Sequence, residues 1–512
     1  MSKCHAAIAV TCALLAALAS SCVPSRSAYY RGLEYQRTGA YERWEHEKTE
    51  EERRPRLKGE LGLEGAVEFA LGHNTQLRAM LQKKDQARGR IVEAYSETLP
   101  SADLTAGYAR LDQVMNIDLG VQSFQIGDRD NYRYQVEFTQ PIYKGGLMHI
   151  ARRAARVFSY MSDEQVRGTV GQVVFDVAKA YYDAVLADRM IKVQEAALEA
   201  TKAHLEDVRS RKKHGTATEY DVLRTRVDMS NIRADLIRQR NQKEQAVTRL
   251  LKAMGASQRS DVKLAGGLDY QPTDTGFEEA VRRAFKNRPD IYAAELGVDL
   301  QKAALDRAWT RFYPRLNAYF WHLWAKPDPA QASQIEWGRD WETGLALKWP
   351  LFDGLAREGQ IIQQRALLRQ RRIELTDAEE TAITQVRNAL VKLENARELV
   401  ESQKLNLQRA DRARSLVQAG YREGVNTQVE VLDATAALRE ARGLYYQALH
   451  EHITAVLQLK QATGQLSPAP GTQDVPEDAE RVGGLSAPRE NGQQSGAKEG
   501  PETTTSSGDT PE

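Results

Sequence analysis

Two short stretches of this 512-residue chain combine residue types and spacings that could do chemistry. The first is Gly215-Thr216-Ala217-Thr218-Glu219-Tyr220-Asp221, and the second is Gly424-Val425-Asn426-Thr427-Gln428-Val429-Glu430. Each sets a threonine three residues before a carboxylate, the spacing of a helix capping box, in which the hydroxyl accepts from the first turn and the carboxylate reaches back. A glycine three residues ahead of each threonine suits the left-handed conformation that ends an incoming helix. The stretches therefore read as tips of helical hairpins, with Gly215, Thr218, Gly424 and Thr427 as their turn residues. Just past the second tip, Glu430 and Asp433 are three apart and share a helix face. Crowded carboxylates attract cations and resist full ionisation, which raises some of their pKa values. The plainer reading is a pair of solvated charges near a helix end.

A different chemistry is suggested at the N-terminus. Lys3, the apolar run 6–18 and the small residues Ala19-Ser20-Ser21 have the layout of an export signal, 1–21, that is removed. Leu18-Ala19-Ser20-Ser21-Cys22 resembles a bacterial lipobox, which would make Cys22 an acylated first residue, with Val23 after it favouring delivery to an outer membrane. An ordinary signal cleaved near Ser21, leaving a bare cysteine, is the other reading. Cys4, Cys12 and Cys22 are the three cysteines, so no disulfide framework is available.

No set of residues for catalysis competes with these. Nine histidines are scattered, and His450 and His452, two apart on a helical stretch, face different ways. Zinc spacings, phosphate loops and nucleophile elbows are absent, so neither a metal nor a cofactor is expected, and the chain does not read as an enzyme. Lys plus Arg (71) balances Asp plus Glu (70), and a net charge of +1 provides no field for a polyanion, which excludes nucleic acid as a partner. Mean hydropathy is −0.57, and after residue 20 no apolar run approaches the roughly 20 residues of a spanning helix. Any membrane crossing must be made by strands.

The elements that position the tips are duplicated. Ala66-Val67-x-x-Ala70 recurs as Ala280-Val281-x-x-Ala284, and Leu99-Pro100 as Tyr313-Pro314, at an offset of 214. Gln140-Pro141-Ile142-Tyr143-Lys144-Gly145 recurs as Trp349-Pro350-Leu351-Phe352-Asp353-Gly354, Gly215 as Gly424, and Gly255 as Gly464, at an offset of 209. One five-residue gap between the paired prolines, in a hairpin loop, reconciles the two. Each copy predicts a helix, two strands and a very long helical hairpin. Apolar residues recur at helical spacing over about 148–212 and 356–420 without proline, enough for rods of roughly 90 Å. Tyr132-Arg133-Tyr134-Gln135-Val136-Glu137-Phe138-Thr139 alternates as a strand wet on one side, and a partner carries Leu316, Tyr319, Phe320, Trp321 and Trp324. Aromatic strand ends and a polar opposite face suit a membrane barrel, although a soluble sandwich uses the same alternation. Four strands cannot close a spanning barrel, whose smallest known form has eight, so several chains must pool theirs.

Taken together, the two helices ending before Leu99-Pro100 and Tyr313-Pro314, the strand-closing motifs with Pro141, Gly145, Pro350 and Gly354, and the turn Gly-x-x-Thr-x-x-Asp/Glu-Val-Leu resemble the TolC outer-membrane efflux family over about residues 60–465. The resemblance implies a mainly α fold with a small β part, in which a homotrimer forms a 12-stranded transmembrane β-barrel continuing into a helical tunnel, or α-barrel, through the periplasm. It implies a lipid-anchored efflux channel in the outer membrane, working with a periplasmic adaptor that docks at the hairpin tips and with an inner-membrane transporter. Glu430 and Asp433 match acidic residues that ring the narrow entrance, Tyr421 an aromatic residue of that constriction, and Asp221 an acidic one. Asn426 departs from the pattern, since a basic residue is common there, which predicts a weaker or differently built latch. The organisation expected is a signal (1–21), a lipid-anchored lead-in (22–60), two efflux repeats (61–270 and 271–465) and a disordered tail (466–512). An envelope-tethered structural or adhesive coiled-coil lipoprotein is the alternative, against which the alternating strands and paired hairpins weigh.

Overall fold

The computed structural model of the chain describes residues 30, 33–39, 55–118, 123–331 and 335–468. Cys22, the export signal, most of the lead-in and nearly all of the tail lie outside the described residues. Two hairpins dominate what is described. In the first copy α1 (Leu63–His73) and α2 (Thr75–Ser96) precede the strands, and α3 (Leu147–Lys213) returns through α4 (Glu219–Met254). In the second, α5 (Phe277–Asn287) and α6 (Pro289–Trp309) precede α7 (Ala356–Arg422) and α8 (Gln428–Ala462). Both α3 and α7 have 67 residues, about 100 Å of helix.

The expectation of one helix ahead of the strands in each copy is corrected to two, and the cause is local. Asn74 takes extended backbone between α1 and α2, and its Oδ1 accepts from Gln76 N and Leu77 N at 2.8 and 3.0 Å, capping α2. In the second copy Pro289 opens α6 and cannot supply the N–H that a continuous helix requires. The break is where the return helix arrives. At the end of α4, Gly255 is left-handed (φ 77°), and a Cβ there would stand 2.3 Å from His73 O. Gly464, after α8, has φ 70°, and its Cβ would stand 2.9 Å from Arg288 N. Asn74 Nδ2 donates to Ala253 O at 2.7 Å, and Arg288 Nη1 donates to Ala462 O at 3.1 Å, so the same bond closes both joints. Within its copy each long helix is flanked by two shorter ones, α4 and α2 beside α3, α8 and α6 beside α7, and α3 also packs against α6 and α8, which joins the copies.

The main core surrounds the first joint. Ala66, Ala70 and Leu77 meet Val166, Val170, Val173 and Val177 of α3 and Leu250 and Met254 of α4. Burial of each such valine or leucine stabilises by about 1.5–3 kcal/mol. A smaller, alanine-rich core repeats the arrangement around Ala280, Ala284, Val386 and Ala389. The first core is closed by a parallel pair absent from the sequence expectation, β1 (Lys58–Leu61) with β6 (Asp261–Leu264). Four-residue strands far apart in the chain leave too short an alternation to read.

Between α2 and α3 lie β2 (Ser101–Arg110), a small hairpin of β3 (Met115–Asp118) and β4 (Ser123–Ile126), and β5 (Asp130–Lys144); β7 (Arg315–Lys326) and β8 (Gly338–Lys348) lie between α6 and α7. The long strands form one antiparallel sheet in the order β2-β5-β7-β8. Register sorts its faces. Leu104, Val136, His322 and Trp341 share one row, and Ala102, Phe138, Phe320 and Thr343 the next row on that face. Asp103, Glu137, Trp321 and Glu342 share a row on the opposite face. The expected alternation therefore holds, with exposed Leu104, Tyr134, Phe138, Leu345 and Leu347 on the apolar side. Pro141 lies inside β5, at an irregularity of register before Tyr143, whereas Pro350 follows β8. Gly145 and Gly354 are both left-handed, but only Gly145 is hemmed in, by Tyr313 and Thr310.

Candidate functional site at the hairpin tips

Both capping boxes form. Thr218 accepts from Asp221 N at 3.2 Å while Asp221 Oδ2 accepts from Thr218 N and Oγ1, each at 2.8 Å. Thr427 accepts from Glu430 N at 3.4 Å while Glu430 Oε2 accepts from Thr427 N at 2.8 Å. Gly215 and Gly424 take φ of 76° and 78°, as the turn demands, and neither would bring a Cβ within 4 Å of another group. The second turn is further pinned by Val425 N and Asn426 N, which both donate to Gly420 O. Asn426 Nδ2 adds a bond to Glu430 at 3.0 Å. These bonds, the one from Asn426 first, hold the Glu430 carboxyl below its ordinary pKa. In one chain the cap thus acts on Glu430 in the direction opposite to the one expected of a crowded ring.

The first and second hairpins meet close to their tips. Tyr421, 8% exposed, lies edge-on to the His204 ring at 5.4 Å and carries the Arg211 guanidinium 4.3 Å from its centre. Burial raises the Tyr421 pKa, against the pull of Arg211. Burial also lowers the pKa of His204, whose Nε2 is buried without a hydrogen-bond partner. Asp221 and Tyr421 are near neighbours electrostatically, yet no hydrogen bond joins them among the described residues, because the Asp221 carboxylate serves its own cap. Asp433 is exposed one turn beyond Glu430. The sequence expectation gave no role here to Gln428, Thr225, His204 and Arg211, since their partners lie on the other hairpin and leave no periodic trace.

The tips and the turns next to them carry exposed apolar side chains: Val425 is 80% exposed, and Tyr220, Leu223, Val227, Leu416 and Val429 are exposed as well. His450 and His452 diverge as expected: His450 Nε2 lies 2.7 Å from Asp183 Oδ1, while His452 is buried against Tyr270. Among the described residues no group of three or more His, Cys, Asp or Glu could hold a metal ion, and no helix is long and apolar enough to cross a membrane.

Comparisons with known proteins agree with this architecture. The family model for outer membrane efflux proteins matches residues 66–256 and 280–465, the two copies. Among curated proteins, the outer membrane protein TolC of Vibrio cholerae is 23% identical over 410 residues, covering 77% of this chain and 89% of that protein. The alkaline protease secretion protein AprF of Pseudomonas aeruginosa is 22% identical, covering 80% and 85%. Among solved structures, the CmeC outer membrane channel of Campylobacter jejuni superposes with a TM-score of 0.68 at 16% identity, over 82% of this chain and 89% of that one, a likeness of fold. With both copies matched and the fold shared, the chain belongs to the outer membrane efflux protein family.

Proposed function

We propose that this chain is the channel subunit of a tripartite efflux or type I secretion assembly, a passive export duct through outer membrane and periplasm. The observation that carries it is the sheet. It is apolar and exposed on one face, polar on the other, and open along β2 and β8. Open edges are not tolerated in lipid, and four strands cannot close on themselves. Three chains pairing β8 of one to β2 of the next give a closed barrel of twelve strands, and their six hairpins a tunnel of about 100 Å. A family model named for efflux and a relative named for protease secretion support the duct over a tethered coiled coil. An acyl chain on Cys22 would anchor the homotrimer in the same membrane.

At the far end, the tips form the periplasmic aperture. Glu430 and Asp433 of three chains line it, with Tyr421 and Asp221 behind them. The exposed apolar side chains around Gly215, Thr218, Gly424 and Thr427 receive a periplasmic adaptor, which links the duct to an inner-membrane transporter. Purified protein in planar bilayers tests the reading. It should conduct with a preference for cations, and the double variant E430A/D433A should lose much of that preference. Unchanged preference in the double variant would remove Glu430 and Asp433 from the aperture.

A further inference from the structure

Gln428 is the first residue of α8, a position where a side chain ordinarily faces water, yet it is 8% exposed. Its Nε2 donates to Asp221 O at 2.8 Å and to Thr225 Oγ1 at 2.6 Å, both on α4 of the other hairpin and more than 200 residues away in sequence. Thr225 is fully buried, and its hydroxyl donates in turn to Asp221 O at 2.9 Å. An amide nitrogen has two hydrogens, and both are engaged across the gap between the tips. Among the described residues no other hydrogen bond near the tips joins the two hairpins. The carboxylates of Asp221 and Glu430 serve their own turns, and the Tyr421 hydroxyl makes no hydrogen bond among the described residues.

We propose that Gln428 is the clamp that holds the second tip against the first, and that its amide sets the resting aperture. The inference rests on reading the tips as that aperture. The second turn is stiff, since Gly420 O accepts two of its N–H groups and a Cβ at Gly420 would strike Asn426 Oδ1. The tip therefore moves as one body, and separating it from α4 breaks both amide bonds at once. Ring contacts of Tyr421 with His204 and Arg211 are not directional in this way and tolerate sliding. The Asn426 amide donates to Glu430 in its own turn and does not reach the other hairpin.

Single-channel recording of the full-length trimer in planar bilayers tests the clamp, with Q428A, Q428E and T225V beside the native chain. Loss of two buried hydrogen bonds per chain should raise the open fraction roughly tenfold or more in Q428A, and T225V should lie between. Q428E keeps the volume but sets a carboxyl against Asp221 O, where burial and the facing carbonyl raise its pKa; ionised at alkaline pH it lacks a donor and should open like Q428A. As pH falls and the carboxyl gains an O–H donor, Q428E should close again while Q428A does not. A loosened fold would lower the melting temperature in all three without this acid reversal. If Q428A and Q428E gate like the native chain while E430A/D433A alters cation preference, the clamp is wrong and the aperture reading stands. If E430A/D433A is also without effect, the aperture reading falls with it.

Discussion

Gly255 and Gly215 share a backbone conformation but not an environment, and that contrast yields a quantitative prediction. Both are left-handed, at φ 77° and 76°. Alanine at either position incurs the left-handed penalty, about 1–2 kcal/mol. At Gly215 nothing lies within 4 Å of the new methyl, so the penalty should be the whole effect. At Gly255 the methyl would stand 2.3 Å from His73 O, 2.8 Å from His73 C and 3.2 Å from Asn74 Cα, all of them backbone. Backbone cannot rotate away as a side chain can. The α1–α2 break must shift, at a further cost of about 1–3 kcal/mol for overpacking, and the Asn74 bond to Ala253 O is put at risk. Gly255→Ala should therefore cost about 2–5 kcal/mol against about 1–2 for Gly215→Ala. The second copy supplies a replicate, with Gly464→Ala severe, since its methyl would meet Asn287 C at 2.8 Å, and Gly424→Ala mild. Melting of the purified protein in detergent, followed by circular dichroism, ranks the four. Equal losses at Gly255 and Gly215 would refute the idea that the joint is built on a backbone approach that only glycine permits.

Three other expectations can be checked on the same material. Thr218→Ala and Thr427→Ala each remove a capping box and should cost about 1 kcal/mol, seen as faster amide hydrogen exchange confined to the first turns of α4 and α8; uniform change along the hairpins would contradict this. Leu355, exposed and left-handed at φ 68°, takes the place that Gly146 fills in the first copy, so Leu355→Gly should stabilise by up to about 1 kcal/mol, and a fall in melting temperature would refute that. His452 is 2% exposed, and burial holds its pKa below the ordinary 6.5. The unfolded chain then binds the proton more readily than the folded one. Stability is full above pH 6.5, falls as pH drops through that value, and levels off below the depressed folded pKa. His204 acts in the same direction. Melting between pH 8 and 5 should show the loss, and His452→Phe should reduce it; an unreduced loss would remove His452 as a source.

Long elements were legible because their signal repeats along tens of residues. The ends of α3 and α7 fall within a residue or two of the spacing argument, and the alternation of β5 is as expected. Capping boxes were equally clear, being local chemistry fixed by three-residue spacing. What escaped depends on packing between distant segments. Asn74 is held by Ala253 O of α4 and Gln428 is buried against Thr225 of α4, contacts that no local spacing encodes. The parallel pairing of β1 and β6 has no turn to announce it. Asp221 carries two expectations, as the carboxylate of the cap and as an acidic residue of the constriction, and its hydrogen bonds in this chain are those of the cap.

The pairing of β1 with β6 also sets an order on folding. Leu57 N reaches Ser260 Oγ across 203 residues, so the segment Lys58-Gly59-Glu60-Leu61 emerges long before its mate exists. Being four residues long with a charge at alternate positions, it is a poor template for stray strands while it waits. Each doubling of the intervening chain adds only about 0.6 kcal/mol to the closure entropy, so the delay is kinetic rather than energetic. The first copy can therefore close only once the linker to the second is available to it.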